Sequence, residues 1–212
     1  MVDNLEMKMT ELLCSKICHD LISPIGAINN GLEFLQDDSS GMLDEATQLI
    51  GGSAQQAADK LAYFRMALGA GGMADQVEFG AIKELLETHA LTKNMVIEWL
   101  GLVLADSSKI AKINGKLLLN LGLVAADCLP RGGKVMLHLE NNADNPDFTI
   151  TLSGEKCTLR EDVKSGLDSQ ISAESLTIRN IIAFNCVNLA IYSQKTLYLL
   201  EESPPQIVFK VS

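Results

Sequence analysis

The sequence predicts an α+β protein: an N-terminal antiparallel helical hairpin that pairs with a second copy as a four-helix bundle, followed by an α/β sandwich. Three observations predict it. Residues 6–36 and 43–68 carry apolar side chains at three- and four-residue steps, with one short polar turn between them. A glycine-rich tract, Gly69-Ala70-Gly71-Gly72, then closes the all-helical stretch. Beyond it, helical periods alternate with short runs of period two. The domains expected are therefore 1–70 and 74–212.

On the first helix, Cys14, Cys18, Leu21, Ile25, Ile28, Leu32 and Leu35 keep the spacing of one buried stripe. Pro24 stands inside this helix, where a proline loses a hydrogen bond and crowds the preceding turn, so a bend is expected there. Asp37-Asp38-Ser39-Ser40-Gly41 reads as the turn. The second helix buries Leu43, Ala46, Ile50, Ser53, Ala57, Leu61, Phe64 and Leu68, and Gly51-Gly52 must be held in it by packing. An isolated hairpin leaves half its apolar surface wet, and a second copy covers it. In the remainder, 79–91, 108–128 and 173–191 read as helices. Residues 95–100, 134–140, 148–153, 196–200 and 206–211 read as strands of one mixed sheet.

Composition excludes several classes of function. The chain has 27 acidic and 17 basic residues, a formal charge of -10, and no Lys/Arg cluster. Nucleic acid and anionic membrane surfaces are therefore disfavoured as partners. Residues 1–6 lack the cationic, then apolar pattern of a secretory signal, and the apolar run 95–105 is too short to span a bilayer. Five cysteines without framework spacing fit reduced thiols, so a cytoplasmic protein is expected. Cys14 and Cys18 share a helix face, but a further ligand at suitable spacing is missing and the stripe accounts for both as core residues. No metal site is expected. His89 and His138 sit in ordinary amphipathic contexts and read as structural.

His19 is different. At about 100° per residue it lies roughly 120° from the centre of the buried stripe, so its ring reaches solvent from a rigid backbone. Histidine titrates near neutrality and is a phosphoryl-accepting nucleophile. His19, Ser23, Gly26 and Asn30 stack along one exposed face, and Gly26 leaves room for the close approach of a partner helix. With Lys16, the residues Ser23, Gly26 and Asn30 are the candidate partner-binding set.

The run His19-Asp20-Leu21-Ile22-Ser23-Pro24 resembles the His-Glu-Leu-Arg-Thr-Pro motif of the sensor histidine kinase dimerisation hairpin. Over residues 14–36 the chain is more similar still to the ChpT family of alphaproteobacterial histidine phosphotransferases. That resemblance implies that His19 is the phosphorylated histidine and that Asp20 orients or deprotonates its ring. Ser23 would help to place water or phosphate, and Pro24 would supply the bend. It also implies a homodimer that accepts a phosphoryl group from the receiver domain of a hybrid histidine kinase. The group then passes to response regulators, with any Mg carried by the receiver and no cofactor of the chain's own.

By layout, the second domain resembles a histidine kinase ATP-binding domain whose motifs are gone. Asn120 matches the first asparagine of the kinase helix, but Val124 stands at the magnesium-binding position. No aspartate precedes Gly154, and Gly166 is the one glycine between 155 and 190, which leaves no glycine-rich lid. The expectation is a carrier without autokinase activity. The rivals are an ATP-dependent sensor kinase and a non-catalytic dimeric scaffold or kinase inhibitor.

Overall fold

Residues 4–36, 43–69, 75–101, 104–140, 145–203 and 205–212 are described in the computed structural model. Helices α1 (Asn4–Gln36) and α2 (Leu43–Ala67) form the hairpin. They run antiparallel, because Gly31 lies against Ala46 and Ile50 while Asp20 lies against Lys60. The polar turn expected at 37–41 and the linker residues 70–72 lie outside the described residues. Helix α1 is about 50 Å long at 1.5 Å per residue and continues as helix through the buried Pro24. Gly51 and Gly52 are both helical.

The stripe expected to be buried on α1 is covered within the chain along one edge only, where Leu21, Ile28 and Leu35 are partly buried. Cys14, Cys18, Ile25 and Leu32 are exposed, as is Met7 on the same side. Inside the chain α1 also uses Leu13, Ile17, Pro24 and Gly31. Its first turns add Leu5, Met9 and Leu12, packed against the sandwich. The reason is geometric. At about 100° per residue, the intrachain face, the exposed apolar face and the His19 face are centred about 120° apart. Periodicity identifies an apolar stripe without saying which neighbour covers it. Gly31 shows how close the helices come: a Cβ there would sit 2.6 Å from Ile50 Cγ1. Helix α2 matches its expected stripe at Ala46, Ile50, Ser53, Ala57, Phe64 and Leu68, whereas Leu43 and Leu61 are exposed.

The sandwich follows as β1 (Gln76–Glu78), α3 (Phe79–Thr92), β2 (Met95–Gly101), β3 (Lys109–Ala111) and α4 (Lys112–Cys128). Then come β4 (Gly133–Glu140), β5 (Asp147–Ser153), α5 (Glu161–Ser165), a 3-10 turn (Ala173–Ser175), α6 (Ile181–Tyr192), β6 (Leu197–Ser203) and β7 (Gln206–Val211). The main sheet has the order β2-β4-β5-β7-β6, with β2 parallel to β4 and the other pairs antiparallel. Its register lines up Trp99, Leu137, Ile150, Phe209 and Leu199 in one row across five strands, the face that α3, α4 and α6 cover.

Two expected helices begin later than their periodicity suggested. Residues 109–111 pair with β1 as a separate two-stranded sheet and bury Ile110, so α4 starts at Lys112. Between 173 and 181 the chain forms a short 3-10 turn and is then turned by Asn180, whose Oδ1 accepts from the Thr177 N–H at 2.7 Å. Among the described residues no helix is long and apolar enough to cross a membrane.

One hydrophobic core crosses the junction between hairpin and sandwich, because Tyr63, Phe64 and Ala67 of α2 belong to it. Asn120, fully buried on α4, fastens the junction. Its Nδ2 donates to Ala67 O (2.9 Å) and Lys116 O (2.8 Å), and its Oδ1 accepts from Asn185 Nδ2 (3.0 Å). Leucine in place of Asn120 leaves the Asn185 amide and the Ala67 carbonyl without this partner in a dry site. Asn120→Leu is expected to lower unfolding stability by about 2 kcal/mol, read from urea denaturation.

Candidate functional site

The site is the turn of α1 between Lys16 and Pro24. His19 projects from it with its side chain 72% exposed, whereas that of Asp20, one residue on, is 21% exposed. Adjacent helix residues point about 100° apart, which turns Asp20 toward α2 and leaves His19 outward. The two side chains still meet: His19 Nδ1 and Asp20 Oδ1 are 3.0 Å apart. Lys16, one turn earlier, brings Nζ to 2.9 Å from Asp20 Oδ2. From α2, Lys60 Nζ donates to the Asp20 carbonyl at 2.8 Å.

Partial burial by itself would raise the Asp20 carboxyl pKa. The hydrogen bonds from His19 and Lys16 outweigh it and hold the carboxyl below its ordinary value. Asp20 is thus an anion near neutral pH, and an anion at Nδ1 fixes the ring tautomer that carries its proton there. Nε2, at the opposite edge of the ring, then offers its lone pair to solvent.

The expected exposed stripe is present: Ser23 and Asn30 are exposed, and a Cβ added at Gly26 would meet nothing within 4 Å. Lys16, also expected among the partner-binding residues, pairs with Asp20. Its side chain is only 19% exposed and is turned onto Asp20, one turn further along the same helix.

Sequence reasoning missed what stands behind Asp20. A cleft of about 150 Å³ is lined there by Lys16, Lys60, Tyr63, His89, Lys93 and Asp127, among others. Tyr63 donates to Leu119 O at 2.6 Å and stacks on His89 with ring centroids 4.7 Å apart. His89 Nε2 is buried and without a hydrogen-bond partner among the described residues. Burial first, then the charges of Lys93 and Lys60, lower the His89 pKa to about 4. Burial raises the Asp127 carboxyl and lowers the Lys60 ammonium. Nothing local marks these residues, since they converge only when α2, α3 and α4 pack. His138, by contrast, lies on the outer face of the sheet beside Glu140, Nδ1 to Oε1 3.3 Å.

An outward imidazole nitrogen on a helical hairpin, with its other nitrogen beside a carboxylate, suits the class of histidine that can exchange a group with a second protein. Relatives agree with that class. Residues 79–197 match the histidine phosphotransferase C-terminal domain family. The protein phosphotransferase ChpT of Brucella abortus is 40% identical over 145 residues, which cover 68% of this chain and 66% of that protein. A solved structure of a bacterial phosphotransferase superposes with TM-score 0.81 at 30% identity, covering 97% of this chain and 96% of that one. The histidine kinase AdeS of Acinetobacter baumannii aligns more loosely, at TM-score 0.46 and 12% identity. The chain belongs to the histidine phosphotransferase family.

The His89 environment has a pH signature. Its folded pKa of about 4 lies below the ordinary 6.5, so between those values the unfolded chain binds more protons than the folded one. Stability contributed by neutral His89 is complete above pH 6.5 and is lost as pH falls toward 4. His89→Gln is expected to flatten this part of the stability-pH curve, measured by urea denaturation at pH 4.5, 5.5 and 7.

Proposed function

We propose that this histidine phosphotransferase carries a phosphoryl group on Nε2 of His19, taking it from one receiver domain and passing it to another. The observation that carries the reading is the 3.0 Å contact between Nδ1 and Asp20, which leaves Nε2 as the free nucleophile on a ring 72% exposed. In the forward step the Nε2 lone pair attacks the phosphorus of a receiver's aspartyl phosphate. The P–O bond to the carboxyl breaks, and the receiver's aspartate leaves as a carboxylate. The phosphorylated ring keeps its Nδ1 proton and is then cationic, and anionic Asp20 stabilises it. In the second step an acceptor aspartate attacks the phosphorus and the N–P bond breaks.

Asp20 is the positioning and charge-stabilising partner in this scheme. The donor proposed is the receiver domain of a hybrid histidine kinase, and the acceptors are response regulators. Both dock along His19, Ser23, Gly26 and Asn30, where the open space at Gly26 admits a helix. The sandwich packs on the first turns of α1. A second copy of the chain, covering Met7, Cys14, Cys18, Ile25 and Leu32 of α1 and Leu61 of α2, completes a four-helix bundle. The setting proposed is the cytoplasm. The hairpin, 1–70, acts as the carrier and the sandwich, 74–212, as its support without ATP-dependent autokinase activity. Support for the last point comes from Asn120, whose amide is committed to Ala67, Lys116 and Asn185. Val124 beside it offers no oxygen to a metal.

Incubation with a radiolabelled phosphoreceiver, and separately with radiolabelled ATP, tests the reading. Label should reach the chain from the receiver and vanish in His19→Ala. Label from ATP alone would identify an autokinase, and no label from either source a scaffold. Asp20→Asn should still fold and bind the receiver but lose transfer rate on the order of a hundredfold, measured by rapid quench.

A further inference from the structure

Pro24 has a counterpart on the other helix. In a regular helix the N–H of residue 24 bonds the carbonyl of residue 20. Proline has no N–H, and its ring crowds that same carbonyl. The helix nevertheless continues through Pro24, so the Asp20 carbonyl must find another donor or be left short in a half-buried place. Lys60, forty positions along the chain, supplies it: Nζ lies 2.8 Å from Asp20 O. Asp20 is therefore held at two points by two ammonium groups, its carboxylate by Lys16 of its own helix and its carbonyl by Lys60 of α2.

We propose that Lys60 is a positioning residue for the phosphoryl-carrying histidine, acting through the backbone carbonyl that Pro24 sets free. The inference rests on the carrier reading of His19 and adds to it a residue that the motif itself does not contain. The backbone of Asp20 determines where its carboxylate sits, and the carboxylate determines the orientation of the His19 ring. A lysine anchored on α2 fixes that backbone against the opposite helix of the hairpin, so the proline gap becomes an attachment point. A displacement of a few tenths of an ångström in Asp20 passes directly to Nδ1 and hence to the line of approach at Nε2. Lys60 lies below the exposed stripe, half-buried, so it contributes orientation of the ring and not docking area for the receiver.

The proline allows a decisive test, because alanine at position 24 restores an N–H within reach of the Asp20 carbonyl. Phosphotransfer from a labelled phosphoreceiver to the full chain is measured over a range of receiver concentrations in wild type, Lys60→Met, Pro24→Ala and the double variant. Folding of each is checked by circular dichroism. Lys60→Met is expected to lower kcat about tenfold with KM for the receiver nearly unchanged. In the Pro24→Ala background the same substitution is expected to cost less than about threefold, a non-additivity that marks two residues sharing one partner. An equal cost in both backgrounds overturns the proposal, and so does a cost confined to KM or no cost at all. If Lys60→Met does not fold, Lys60→Leu replaces it, with the same outcomes deciding. If the wild-type chain takes no label on His19, the carrier reading falls and this inference with it, a failure recognisable without any variant.

Discussion

Helix α1 divides its surface into three faces, and the rest of the structure follows from that division. One face, with Leu13, Ile17, Pro24 and Gly31, is committed to packing within the chain. A second, with Met7, Cys14, Cys18, Ile25 and Leu32, is apolar and uncovered in the single chain. The third presents His19, Ser23, Gly26 and Asn30 to solvent. Faces about 120° apart cannot trade residues. The histidine can thus be fully mobile in chemistry and rigid in place: its ring is open, while the backbone beneath it is fixed from two sides.

Charge is arranged on the same plan. A chain of formal charge -10 concentrates Lys16, Lys60 and Lys93 behind the turn that bears His19. Lys16 and His19 keep Asp20 ionised despite its partial burial, and an ionised Asp20 keeps the ring proton on Nδ1. The ordering of the site is therefore electrostatic and hydrogen-bonded, whereas the ordering of the platform is apolar. The two meet at Tyr63, which belongs to the common core, bonds the backbone of α4 at Leu119 and stacks on His89 at the floor of the cleft. Asn120 adds a buried amide link from α4 to both α2 and α6.

Most regular elements were legible in the sequence because each one repeats its apolar residues at its own period. The hairpin, helix 79–92, and the strands around 95–101, 133–140, 147–153 and 206–211 all fall where the pattern places them. The misreadings occurred where a helical pattern extends into residues with another task. Lys109–Ala111 is drawn off by β1, three residues too short to signal a strand on their own. Residues 173–180 contain apolar positions compatible with a helix, but the Asn180 side chain bonds the Thr177 backbone instead. The apolar stripe on α1 is half covered within the chain, because periodicity gives the angle of an apolar face and not the identity of its cover.

What the sequence alone determined is the turn around His19. His19, Asp20 and Pro24 lie within one and a half turns of a single helix, so their relative geometry follows from helical spacing without any tertiary contact. The tertiary structure decided how that turn is held. The Lys16–Asp20 pair is partly buried, its side chains 19% and 21% exposed. Lys60 reaches the Asp20 carbonyl because the antiparallel hairpin brings residues forty apart to the same level. Local order is encoded in neighbours along the chain, and support from the opposite helix exists only once the hairpin has closed.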